Sequence, residues 1–120
     1  MDKSKIDNAI SAHCKWVMRL LAAIETGGSE FDPKTVKTDN NCEFGKWMYG
    51  ELAAEIGASP IFTEIKTFHA KFHQAAAAIL ELALQGRKDE AVVLLRSGGD
   101  FKNAQDALIR KLKELREKST

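Results

Sequence analysis

The sequence predicts an all-α fold, an antiparallel four-helix-bundle-like domain with one short additional helix. Three observations lead there. Apolar residues recur at steps of three and four along four separate segments, which marks one buried face on each of four helices. No segment sustains the period-two alternation of a half-buried strand. Glycine and proline punctuate the helical segments, and most of the connections between them are short enough to favour antiparallel neighbours.

The first helix carries Ile6, Ile10, His13, Val17, Leu20 and Ile24 on one stripe and stops at Gly27-Gly28. The segment SEFDPKTVKTD after it has the Pro, Asp and Thr content of a loop and is expected to connect the helices while packing little. Asn40 and Glu43 stand in capping-box spacing, so a second helix is expected from Asn40 through Phe44, Met48, Leu52 and Ile56 to Gly57, with Cys42 in its first turn. Ser59-Pro60 opens the longest helix in the cap-then-proline manner; Phe62, Ile65, His69, Phe72, Ala76, Ile79 and Ala83 form its stripe as far as Gly86. The run AAAAIL within it combines high helix propensity with side chains small enough for a neighbouring helix to come close. A short helix is expected from Lys88 to Ser97 around Ala91, Val92, Leu94 and Leu95, ended by Gly98-Gly99. Asp100 is positioned to cap the last helix, whose seam holds Phe101, Leu108, Leu112 and Leu115, with Gln105 its one polar member. No internal repeat is present.

A chain of 120 residues is the size of one ordinary domain, so residues 1–120 are read as a single unit. With 18 basic and 17 acidic residues the net charge is +1, which offers no field to attract nucleic acid or an anionic membrane. The first residues lack the apolar stretch of a secretion signal, and no run reaches the ~18 apolar residues of a membrane span. Two cysteines are too few for a disulfide framework, which points to a reducing compartment; a cytoplasmic location is the expectation.

The chain contains three histidines, and each falls on or beside an inward-looking helical stripe. His69 and His73 are four residues apart on one helix, close enough for their side chains to grip one ion. That spacing alone is a weak signal. His13 strengthens it, because an imidazole at a core position needs a partner to offset its burial. Cys42 offers a fourth donor at the start of a helix, where free N–H groups and the positive end of the dipole favour a thiolate. Three imidazoles and one thiolate make a tetrahedral set suited to zinc; copper, favoured by the Irving–Williams order, and iron are the alternatives. Four protein ligands leave no open position for a substrate water, and no HExxH motif is present, which argues against a hydrolytic centre.

These residues resemble the chemoreceptor zinc-binding domain, a bacterial helical module of chemoreceptors and some diguanylate cyclases. The resemblance rests on three motifs: His13-Cys14-Lys15-Trp16, then Cys42-Glu43-Phe44-Gly45-Lys46-Trp47, then His69-Ala70-Lys71-Phe72-His73. They are separated by 25 residues between Trp16 and Cys42 and by 21 between Trp47 and His69. The resemblance implies zinc ligands at His13, Cys42, His69 and His73, and site packing by Trp16, Phe44, Gly45 and Trp47. Gly45 is expected to let another helix come close, and the tryptophans to shield the metal from water. It further implies sensing of zinc or of hypochlorous acid, with Cys42 as the redox-active residue, and a homodimer. No coiled-coil hairpin or cyclase sequence accompanies the module in these residues, so its output is expected to pass to a separate signalling protein, a chemoreceptor or a diguanylate cyclase, in chemotaxis or cyclic-di-GMP control. SGGDF at 97–101 is read as a helix stop and not as a cyclase signature. Cys14 reads either as a small core residue or as a thiol able to resolve a sulfenic acid on Cys42.

The leading expectation is therefore a zinc-binding regulatory module that is not an enzyme. The alternative is a helical interaction domain that zinc only fastens. A hemerythrin-like di-iron centre needs more histidines and bridging carboxylates than the chain offers, and nucleophilic catalysis by Cys42 lacks a gathered Asp or Asn and an oxyanion feature.

Overall fold

The apolar stripes become helices packed around one central helix. The computed structural model describes residues 2–40, 42–96 and 98–118, and among these there is no strand. In chain order the elements are α1 (Lys3–Cys14), α2 (Trp16–Thr26), α3 (Pro33–Lys37), α4 (Glu43–Trp47), a π-helical turn (Met48–Leu52), α5 (Ala53–Ile56), α6 (Pro60–Leu84), α7 (Lys88–Leu95) and α8 (Asp100–Lys118). The 25 residues of α6 make a rod of about 37 Å at 1.5 Å per residue, which sets the 45 Å length of the molecule. Against it pack α8, α3, α2 and α7, while α1 lies on α8.

All seven stripe positions expected on α6 are buried, as are Phe101, Gln105, Leu108, Leu112 and Leu115 on α8. Small residues face inward at Ala76, Ala77 and Ala83, in keeping with close approach of neighbouring helices. The termini follow local chemistry. Gly27 takes a positive φ of 74° and its N–H bonds to the Ala23 carbonyl at 2.8 Å, closing α2 in a conformation that side chains with a Cβ resist. Arg116 forks onto the Asp7 carboxylate at 2.6 and 3.3 Å, tying the end of α8 to α1, so the basic end of the last helix is partly engaged within the chain.

Several expectations are corrected. The first helix breaks at Lys15, between His13 and Trp16, instead of running straight to Gly27. At this break the His13 carbonyl accepts a hydrogen bond from Gln105 Nε2 at 3.2 Å, which explains the polar residue in the α8 seam. The 29–39 segment does pack: Asp32 caps α3 through Lys34 N–H at 3.0 Å, Pro33 takes the first helical position, and Val36 is buried against α6. The second helix is capped by Cys42 and not by Asn40; the Cys42 sulfur accepts the Gly45 N–H at 3.3 Å, which places Cys42 just outside the first turn.

The π turn has a cause in the sequence. Phe44, Met48, Leu52 and Ile56 are spaced by four with no compensating step of three, and in an α-helix each such step drifts by about 40°. A wider turn with i→i+5 bonding absorbs that drift and keeps Phe44, Met48 and Leu52 buried together. Further along, α7 ends at Leu95, Leu94 is 40% exposed, and Ser97 lies outside the described residues. Asp100 is the first residue of α8 instead of its cap, where its charge still complements the helix dipole.

Candidate metal centre

Four side chains from three parts of the fold meet beside the middle of α6. His69 and His73 project from one face of α6 because four residues make slightly more than one helical turn. His13 arrives from the last turn of α1 and Cys42 from the N-cap of α4. Their donor atoms all lie within 4.8 Å of one another. The Nε2 atoms of His69 and His73 are 3.1 Å apart, and the Cys42 sulfur is 3.4 Å from the first and 3.6 Å from the second.

These separations can be compared with a zinc tetrahedron. Bond lengths of about 2.0–2.1 Å to nitrogen and about 2.3 Å to sulfur give edges of about 3.3 Å between nitrogens and about 3.6 Å between nitrogen and sulfur. The three distances in the structure match. The remaining ring nitrogens support the same use. His13 Nδ1 donates to the Ala9 carbonyl at 2.7 Å and His73 Nδ1 to the Val36 carbonyl at 2.9 Å, which leaves the Nε2 lone pair of each free for a metal. Two Nε2 lone pairs and a sulfur thus converge with the Nε2 of His69, a donor set that fits a divalent ion.

Burial keeps the imidazoles neutral. It lowers His13 to about 4, against the opposing pull of the Ala9 hydrogen bond, and His69 to about 2, with the neighbouring imidazoles adding to the effect; His73 is lowered for the same first reason. Burial also pushes the Cys42 thiol up, and the backbone N–H bond from Gly45 pulls it down by less. The helix terminus therefore helps the thiolate, as expected, but is outweighed by desolvation. A bound divalent ion supplies the charge needed to deprotonate a coordinating thiol.

A family model for the chemoreceptor zinc-binding domain matches residues 13–80, a span that begins at His13 and includes all four donors. The chain belongs to this family. No curated protein and no solved structure matches the chain. As a member of the chemoreceptor zinc-binding domain family it is a zinc-binding module, and the structure gathers a His3Cys cluster suited to a metal ion.

The residues expected to pack this zinc-binding domain's site lie in different relations to the four side chains. Phe44 touches the donors directly, its ring 5.0 Å from His69 and 5.8 Å from His13. Trp47 backs Phe44 at 5.9 Å, and Trp16 pairs with Phe31 at 5.1 Å. Both tryptophans line a cleft of about 900 Å³ that reaches His13, Cys42 and His73, so they flank an approach to the site. Gly45 admits backbone and not another helix: a Cβ there would fall 1.9 Å from the Asp39 carbonyl oxygen. Cys14 is exposed, which removes its reading as a core residue; it lines a separate groove with Lys102, Gln105 and Asp106 of α8. Reading the sequence missed Val36, Ala9 and Gln105, whose bonds orient His13 and His73. The first two act through carbonyls that any residue carries, whereas Gln105, the lone polar residue of an apolar seam, was a visible signal.

Proposed function

We propose that His13, Cys42, His69 and His73 together hold one zinc ion, and that Cys42 is the group through which the module senses. The observation that carries this reading is the convergence of all four donors within 4.8 Å beside the apolar core. Cys42 differs from the other three in two respects. The imidazoles are 0–3% exposed, whereas Cys42 is only partly buried where it meets the cleft. It is also the one anionic donor, and its sulfur caps a helix of five residues.

When bound, zinc supplies the positive charge that holds Cys42 as a thiolate. An oxidant such as hypochlorous acid, entering by the cleft, converts that thiolate to a sulfenic acid; sulfur gains the oxygen and chloride leaves. The Gly45 N–H then loses its anionic acceptor and α4 loses its cap, which frees the α4 end to move relative to α6. Loss of zinc removes the same fastening without oxidation. Either input alters one surface, and a separate chemoreceptor or diguanylate cyclase in the cytoplasm is the proposed reader. The role is regulatory and not catalytic, since four protein donors complete a tetrahedron and leave no place for substrate. Exposed Met18, Leu21 and Val93, on the mutually packed α2 and α7, supply apolar surface for the proposed homodimer.

Chelator competition tests this reading. Wild-type protein is expected to bind one zinc per chain and to release it on titration with hypochlorous acid. Cys42→Ser should bind zinc at least tenfold more weakly and show no oxidant-triggered release. Equal zinc affinity in the two proteins would overturn the assignment.

A further inference from the structure

The three imidazoles are not supported alike. His13 and His73 each place Nδ1 on a backbone carbonyl, but His69 Nδ1 is fully buried and has no hydrogen-bond partner. Its charged neighbour is Asp39, whose Oδ2 stands 3.7 Å away, beyond the ~3.2 Å limit of a good hydrogen bond. Asp39 is itself held from two sides. Tyr49, on the π turn, donates its hydroxyl to the same Oδ2 at 2.6 Å, and the Asp39 carbonyl occupies the space that a side chain at Gly45 would fill. A turn between α3 and α4 thus delivers one carboxylate to the far side of His69, with that carboxylate 18% exposed.

We propose that Asp39, tethered by Tyr49, is a positioning residue for the metal centre: it holds His69 in the tautomer protonated at Nδ1 and supplies the second negative charge that the site needs. This rests on the zinc reading above. A divalent ion with one thiolate and three neutral imidazoles carries a net charge of +1, and burying an uncompensated charge is costly. The Asp39 carboxylate brings the sum to zero. Carboxylates behind a ligating imidazole fix its orientation and raise its basicity, and their loss typically costs about 10–100-fold in metal affinity.

The arrangement also links the centre to the surface. Tyr49 is 43% exposed, is the single tyrosine of the sequence, and has Lys66 Nζ 5.6 Å from its ring centroid. Partial burial, and then the carboxylate it donates to, push its phenol up to about 12, so it remains a donor at neutral pH.

Zinc affinities of wild type, Asp39→Asn, Asp39→Glu and Tyr49→Phe, read by competition with a chromogenic chelator, test the proposal together with nitrogen-15 spectra of the imidazoles. Asp39→Asn keeps the shape and removes the charge. It should bind zinc about 10–100-fold more weakly at an unchanged one ion per chain. Tyr49→Phe should lose less, Asp39→Glu should recover part of the affinity, and the His69 Nδ1–H signal should shift in the zinc-loaded Asp39→Asn protein. Melting of the metal-free variants should match metal-free wild type. Affinity of Asp39→Asn within twofold of wild type would overturn the proposal, as would an equal drop in metal-free melting, which would mark a merely structural turn. Failure of wild type to bind zinc would instead overturn the zinc reading on which it rests.

Discussion

Neutral imidazoles packed ring against ring, with centroids 4.5 to 5.7 Å apart, give the metal-free site a definite pH dependence. In the fold, His13 sits at about 4, His69 at about 2, and His73 is also lowered, whereas an unfolded chain titrates near 6.5. As pH falls below about 6.5 the unfolded chain takes up protons that the folded one refuses, so stability falls; above that pH these groups add no slope. The urea midpoint of chelator-treated protein is therefore expected to drop between about pH 6.5 and pH 4, with a limit of about 1.4 kcal/mol per pH unit for each imidazole. A His13→Gln variant should show a shallower slope, and a flat profile in wild type would contradict the burial argument. Gln105 offers a second residue-scale test. Gln105→Leu preserves bulk but removes the side-chain donor to the His13 carbonyl at the Lys15 break, at an expected cost of about 1 kcal/mol in chemical unfolding.

Among the elements, α4 is the most tightly constrained for its length. Its N-cap is a donor to the cluster, its third residue meets the Asp39 backbone, and it runs into the π turn that carries Tyr49. Gly45→Ala forces a methyl group onto a carbonyl that no side-chain rotation can clear. A loss of about 2–3 kcal/mol, or about 10 °C in Tm, is expected by differential scanning calorimetry, with weaker zinc binding alongside. The long helices were legible because their three-four stripes record burial directly; every stripe position of α6 lies inside. Of the short ones, α7 was legible from its expected start at Lys88, whereas α3 and the start of α4 were not. Asp32-Pro33 is a helix-start signal, yet with a single buried residue, Val36, α3 has no periodicity to distinguish it from loop. At α4 the capping-box spacing of Asn40 and Glu43 gave a familiar but wrong start, because cysteine is not an ordinary cap and serves here as a donor to the cluster. The four donors were readable from residue type and spacing; their orienting carbonyls, and Asp39 behind His69, depend on a chain path that only coordinates reveal.

Across the whole molecule, most of the largest fully buried side chains, Phe72, Phe101, Ile6, Leu20, Leu108 and Leu112 among them, lie on α1, α2, α6 and α8, with Met48 and Leu52 on the π turn. Removal of zinc is accordingly expected to leave a cooperative melt with most helicity intact, while amide exchange quickens in α3 and α4. Complete unfolding on chelation would favour zinc as a plain fastener over zinc as a switch. Sedimentation velocity checks the homodimer: wild type should sediment as a dimer and a Met18→Lys, Val93→Lys double variant as a monomer. The central claim is the identity of the atoms around the metal, and X-ray absorption at the zinc edge of the purified, zinc-loaded protein measures it most directly. Three nitrogens at about 2.0–2.1 Å and one sulfur at about 2.3 Å are predicted, with the sulfur shell lost in Cys42→Ser. A shell of nitrogen and oxygen alone in the wild-type protein would contradict the account.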